Sequence, residues 1–202
     1  RNRLAATAAT TVFALFTTPA LAKDLVIHAG HLIDGVGAKP RDNVSILIHD
    51  DRITGVQDGF VTPAGAEVID LSTATVLPGL IDMHDHITSA YTGKNPIAER
   101  VTHSDIDTAF DSVGFARKTL EAGFTSVRDV GGETGVVVAL KRAIAGGKIA
   151  GPRLWVSGYP LGPTGGHGDP QNGMSTELDF HSEGRVIDGP DEAAKVVRRM
   201  HR

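Results

Sequence analysis

The sequence predicts an α/β fold in two parts, a strand-only segment over 23–77 followed by alternating strands and helices over 78–202. Two patterns carry that expectation. Up to Leu77 the apolar residues come in short runs separated by polar turns, which is how strands read. After Pro78 the period switches to strand, helix, strand, helix, three times over. Such alternation builds a parallel sheet covered by helices.

The first residues read differently from the rest. Arg1 and Arg3 precede an apolar, small-residue run from Leu4 to Phe16, and Thr17-Thr18-Pro19-Ala20-Leu21-Ala22 ends it in an A-x-A-like pattern. That order predicts a secretory signal peptide over 1–22, cleaved after Ala22, and hence an exported protein, periplasmic or secreted. The run is short and rich in Thr and Ala, so it is expected to leave no stable membrane association after cleavage. The competing reading is a buried N-terminal helix.

Four strands are expected next. Leu25-Val26-Ile27 is one run; Val44 to Ile48 turns at His49-Asp50-Asp51 into Arg52 to Val56 as a hairpin; Glu67 to Leu71 is the fourth. Four short strands bury little alone, so a small β-sandwich-like segment leaning on a larger partner is the expectation. Beyond Pro78, Leu80 to His84 reads as a strand. Ser104 caps a helix with Asp107 at the capping-box position, its stripe running through Ile106, Ala109, Phe110, Val113, Ala116 and Leu120 to a stop at Gly123. Phe124 to Arg128 is the next strand and about Glu133 to Ala145 the next helix, stopped by Gly146-Gly147. Arg153 to Ser157 and a long Gly/Pro-rich loop lead to a last helix from Pro190, with Ala193, Ala194, Val196, Val197 and Met200 as its apolar stripe. No capping signal ends that helix before Arg202, so the sequence reads as a fragment cut within an element.

Composition narrows the function classes. The 202 residues carry a formal charge of −4, too mild for a nucleic-acid groove, and nucleic acid is excluded as an expected partner. There is no cysteine, hence no disulfide, thiolate metal site or cysteine nucleophile in these residues.

The chemistry concentrates in Pro78-Gly79-Leu80-Ile81-Asp82-Met83-His84-Asp85-His86. Side chains at i and i+2 of a strand share a face, so His84 and His86 can aim two imidazoles at one point, and neutral imidazole is a good ligand for Zn2+ and related ions. Two histidines do not complete a site, and with nine histidines in the chain the spacing alone also fits a polar strand end. His167 lies in Thr164-Gly165-Gly166-His167-Gly168-Asp169 after the third βα strand, either facing the site or as a solvated turn histidine. Arg128-Asp129 reads as an internal ion pair, and Asp82 as a structural hydrogen-bonding group. His28 and His31 read as surface or packing residues, and His103 and His181 as solvated. Val136 to Leu140 reads as helix core rather than a cofactor box.

The run PGLIDMHDH behind a β-rich segment resembles the metal-dependent amidohydrolase superfamily. GFTSVRDVGG at 123–132, GPRLWVSG at 151–158 and TGGHGD at 164–169 are similar to its imidazolonepropionase-like branch, with its Xaa-Pro and related dipeptidases. The resemblance implies the first three units of a (β/α)8 barrel, with function at the C-terminal ends of the strands. It implies His84 and His86 as ligands of one or two divalent ions, Zn2+ foremost, and His167 near the substrate carbonyl or carboxylate. It further implies hydrolysis of C–N bonds by a metal-activated water, with dipeptides such as Xaa-Pro or Xaa-Lys/Arg as substrates. The alternatives are a cyclic-amide or imidazolone hydrolase of the same fold, or a non-catalytic binding protein on this scaffold. The proton shuttle, a carboxylated lysine, two further histidines and an aspartate are expected on later strands, so the 202-residue piece alone is expected to be inactive. Subunit number is not written in these residues, which leave a homo-oligomer open.

Overall fold

The computed structural model describes residues 23–91, 93, 95–180 and 184–200, so the signal-peptide reading and His181 lie outside the described residues. The chain divides into two compact units between Pro78 and Gly79.

The first unit is a four-stranded sheet of β1 (Asp24–Leu32), β2 (Arg41–His49), β3 (Arg52–Asp58) and β4 (Glu67–Val76), in the order β3-β2-β1-β4. β1 runs antiparallel to β2 and parallel to β4. Asp50 takes the left-handed φ of 54° at the β2–β3 turn, a conformation Asp tolerates better than most residues. Its amide and carboxylate bond back to Lys23, closing the start of β1 onto the turn. Ala29, Leu32, Val44 and Ile46 form the buried centre, flanked by Ile27, Ile48, Val56 and Val76. This is one layer of what a sandwich needs. β1 is longer than its apolar run predicts and holds both His28 and His31. His28 stacks on Phe60 with centroids 5.1 Å apart, and His31 meets Asp42 across the strand pair at 2.6 Å.

The second unit alternates as its period predicts. β5 (Leu80–Asp85), β6 (Phe124–Asp129) and β7 (Arg153–Val156) form a parallel sheet in chain order. Between and after them lie α1 (Pro96–Thr102), α2 (Asp105–Glu121), α3 (Thr134–Ala145) and α4 (Pro190–Met200). Ile87, Val127 and Leu154 from the strand side meet Ala116 of α2 and Leu140 of α3 in one core. Full burial of each large aliphatic side chain there contributes about 1.5–3 kcal/mol. Val136 and Val137 are buried as well, so that stretch is helix core.

Four local findings refine the sequence reading. The Ser104–Asp107 capping box is present in both directions. α1 was not expected; its start is an Asn95 side chain accepting the Ile97 N–H at 3.0 Å, followed by a proline in the first turn. The α2 stripe is corrected in part: Ile106 and Phe110 are 68% and 76% exposed, whereas Ala116 of that stripe is buried and Ser112 joins it on the covered face. Ser112 settles there because its hydroxyl donates to the Ala109 carbonyl at 2.7 Å, leaving no unpaired polar group. In α4, Val196 is buried whereas Val197 is 58% exposed. Among the described residues no helix is long and apolar enough to cross a membrane.

Candidate metal centre

In a parallel sheet every strand points its C-terminal end the same way, so the segments after β5, β6 and β7 gather on one side. β5 enters through Pro78-Gly79, and Gly79 has a packing reason: a Cβ there would lie 2.1 Å from Thr125 Cγ2 of β6. The glycine lets the neighbouring strands close up.

His84 is the penultimate residue of β5 and His86 follows its end. Their ring centroids lie 5.7 Å apart, with the planes at 78°. Two imidazoles bound to one tetrahedral ion at ~2.0–2.1 Å would place their centroids roughly 5 Å apart, so the pair fits a shared divalent ion. The Asp82 carboxylate accepts the His84 main-chain N–H at 2.9 Å, which makes Asp82 a structural hydrogen-bonding group.

His86 is oriented more tightly. Its Nδ1 lies 2.7 Å from the Gly131 carbonyl oxygen. A carbonyl only accepts, so Nδ1 carries the hydrogen, and in the neutral ring Nε2 is the nitrogen whose lone pair can make a ligand bond. The loop after β6 presses close: a Cβ on Gly131 would meet His86 Cε1 and Nδ1 at 3.1 and 3.2 Å, and Pro160 Cδ at 3.3 Å.

The Arg128–Asp129 expectation is corrected. Neighbouring residues on a strand face opposite ways, so the two cannot pair internally. Arg128 is exposed and its Nε donates to the Met83 carbonyl at 2.7 Å. Asp129 is fully buried, its carboxylate accepting the N–H of Ile87 at 2.9 Å and of Gly131 at 3.2 Å. Burial pushes its carboxyl up from the usual range, and those two hydrogen bonds oppose the shift.

His167 sits exposed in the loop after β7 and, among the described residues, makes no hydrogen bond or ring contact with the pair. The structure brings His84 and His86 together and leaves His167 apart. The base of its loop is tied down by a bridge between Gly162 and Val186 and by two hydrogen bonds from Thr164 to the Asp188 carboxylate. A concavity of about 420 Å3 is lined by Arg128, Asp129, Val130, Trp155, Val156 and Ser157, at the ends of β6 and β7.

A second cluster on this side escaped the sequence reading. Arg185 Nη2 bonds both Glu133 carboxylate oxygens, at 2.7 and 2.9 Å, while its guanidinium lies 3.8 Å from the centroid of the Tyr159 ring. Burial, and then Glu133, raise the Tyr159 hydroxyl above its usual pKa. The only advance sign is that Glu133 precedes a helix without being a favoured cap, and no cap bond forms.

Among the described residues no group of three or more His, Cys, Asp or Glu side chains gathers to hold an ion. Two imidazoles are fewer than the three protein ligands that catalytic zinc usually takes. The family model described as the amidohydrolase family matches residues 75–201, over the whole βα part. The chain belongs to the amidohydrolase family. That superfamily is metal-dependent, in agreement with the two facing imidazoles. Among curated relatives, the ochratoxinase of Aspergillus niger is 33% identical over 151 residues, 73% of this chain and 31% of that protein. The crystal structure of a Xaa-Pro dipeptidase with bound methionine in the active site is similar with a TM-score of 0.79 and 36% identity, over 89% of this chain and 44% of that one. A prolidase complexed with N-methylphosphonate-L-proline gives a TM-score of 0.73 at 28% identity, over 89% and 44%. The amidohydrolase chain thus spans under half the length of these relatives. Its fold is accordingly the opening part of the amidohydrolase (β/α)8 barrel with its accompanying β-segment.

Proposed function

We propose that the full-length protein is a metal-dependent hydrolase of C–N bonds that cleaves dipeptides, Xaa-Pro or Xaa-Lys/Arg, with Zn2+ as the metal and the periplasm or exterior as its location. The observation that carries this reading is the His84–His86 pair, 5.7 Å between centroids, with His86 Nε2 left free to bind by the Gly131 hydrogen bond. The chain's likeness to a Xaa-Pro dipeptidase and a prolidase supports a dipeptide substrate. The export reading rests on residues 1–22 alone.

A divalent ion held at this pair supplies Lewis acidity and a water of lowered pKa. The chain's own residues do the rest of the work visible here. His84 and His86 contribute the imidazole nitrogens, and Asp82 fixes the backbone from which His84 projects. Gly131 sets the His86 tautomer. His167, on its tied loop, is the group assigned to the substrate carbonyl or carboxylate. Two donors are fewer than the three protein ligands usual for catalytic zinc, which supports the expectation that the 202-residue piece alone is inactive.

The test uses the full-length protein, wild type and His84→Ala. Metal content is measured along with turnover of Xaa-Pro, Xaa-Lys/Arg and imidazolone propionate. The expected result is dipeptide turnover that falls together with bound metal in the variant. Full activity in His84→Ala removes the metal assignment. Turnover confined to imidazolone propionate gives the cyclic-amide reading, and metal binding without any turnover gives a non-catalytic binding protein.

A further inference from the structure

We infer that Asp129 is a positioning residue for the His86 imidazole, acting through main-chain groups on either side of it. The inference rests on the metal reading of the histidine pair for its purpose, though not for its geometry. β6 ends at Asp129, and the whole side chain is buried. Packing alone does not explain it: an ionisable group taken out of water costs free energy that an apolar side chain of similar size would not. Its two acceptor bonds give it a different task. One oxygen holds the N–H of Ile87, the residue after His86, at 2.9 Å. The other holds the N–H of Gly131, the residue whose carbonyl receives the His86 ring hydrogen, at 3.2 Å.

The carboxylate thus fixes both ends of one hydrogen bond. It sets the backbone from which the imidazole projects and the carbonyl that the imidazole meets. Two further main-chain bonds close the frame: the Val130 N–H to the Asp85 carbonyl at 3.0 Å and the Ser157 N–H to the Asp129 carbonyl at 3.2 Å. Asp129 therefore ties the ends of three successive strands around the ring whose orientation matters. Outer groups of this kind usually change metal affinity or activity 10–100-fold when altered.

The experiment uses the full-length protein in metal-free form with ring-15N histidine. In the wild type, His86 should show a single Nδ1–H tautomer. Asp129→Asn keeps the shape but sets an NH2 group against one of the two main-chain donors. It should give mixed tautomers at His86 and Zn2+ binding weakened about 10–100-fold. The signals of His28 and His31, which lie in the other unit, should stay in place. A variant that keeps the single tautomer and wild-type Zn2+ affinity overturns the assignment. Should Asp129→Asn fail to fold, the wild type decides. The Ile87 and Gly131 amides must then couple through their hydrogen bonds to the Asp129 carboxylate carbon, and absence of that coupling overturns the assignment too. The tautomer is read without metal, so unchanged metal content in His84→Ala would sink the hydrolase reading and leave this result standing.

Discussion

Thr164 donates its amide and its hydroxyl to the Asp188 carboxylate, at 2.8 and 2.6 Å, and so holds that carboxyl below its ordinary value of 3.8. A carboxyl whose pKa is lowered on folding stabilises the fold fully above the unfolded pKa, and the contribution is lost as pH falls through the folded one. The base of the His167 loop should accordingly stay tied at neutral pH and loosen only in acid. Following the Thr164 amide signal during acidification should give a midpoint below 3.8; a midpoint above it would contradict the tie. At the histidine pair the decisive contact is a close one. Gly131→Ala places a methyl group 3.1–3.2 Å from the His86 ring and should displace the imidazole, lowering metal affinity with little change in melting temperature. What the chain disclosed in advance at this scale was whatever is local. Two residues on one strand face are a matter of spacing, which is why the closeness of the His84 and His86 rings was readable. The Gly131 bond closes over 45 positions and the Glu133–Arg185 pair over 52, distances that no local pattern reports.

The same division holds for elements. The α2 start was legible because Ser104 and Asp107 satisfy each other within one turn. Ser104→Ala should cost about 1 kcal/mol, read as a lowered melting temperature of the full-length protein, with Asp107 losing its main hydrogen-bonded donor. α1 went unread because its seven residues show too few apolar positions to set a period, and only Asn95-Pro96 announces it. The apolar edge of α2 was misjudged for a related reason. Periodicity tells which residues share a face, not which face is covered, and Phe110 lies on the open one. Strand packing offers a sharper test. Gly79→Ala should destabilise by about 1–3 kcal/mol through overpacking against Thr125. Thr125→Ala, which removes the two nearest atoms, should recover part of that loss in a double-mutant cycle; strict additivity would refute the contact.

For the molecule as a whole, strand order decides behaviour in isolation. β5 and β7 are the outer strands of their sheet, and β5 presents Leu80, Ile81 and Met83 at 47%, 63% and 55% exposure. Outer strands with exposed apolar side chains pair with other chains. Expressed alone, residues 23–202 should self-associate in size-exclusion chromatography and turn over no dipeptide; a monodisperse, active product would be the contrary result. The alternation of strands and helices made the barrel class readable, whereas closure of the frame around the ring depends on three strand ends meeting. Because the acceptor for the His86 hydrogen is a peptide oxygen, no point substitution can delete it. Chain length between Asp129 and Glu133 is what controls that oxygen, so adding or removing one residue in that short connection should disable the ring more surely than recolouring any side chain along it.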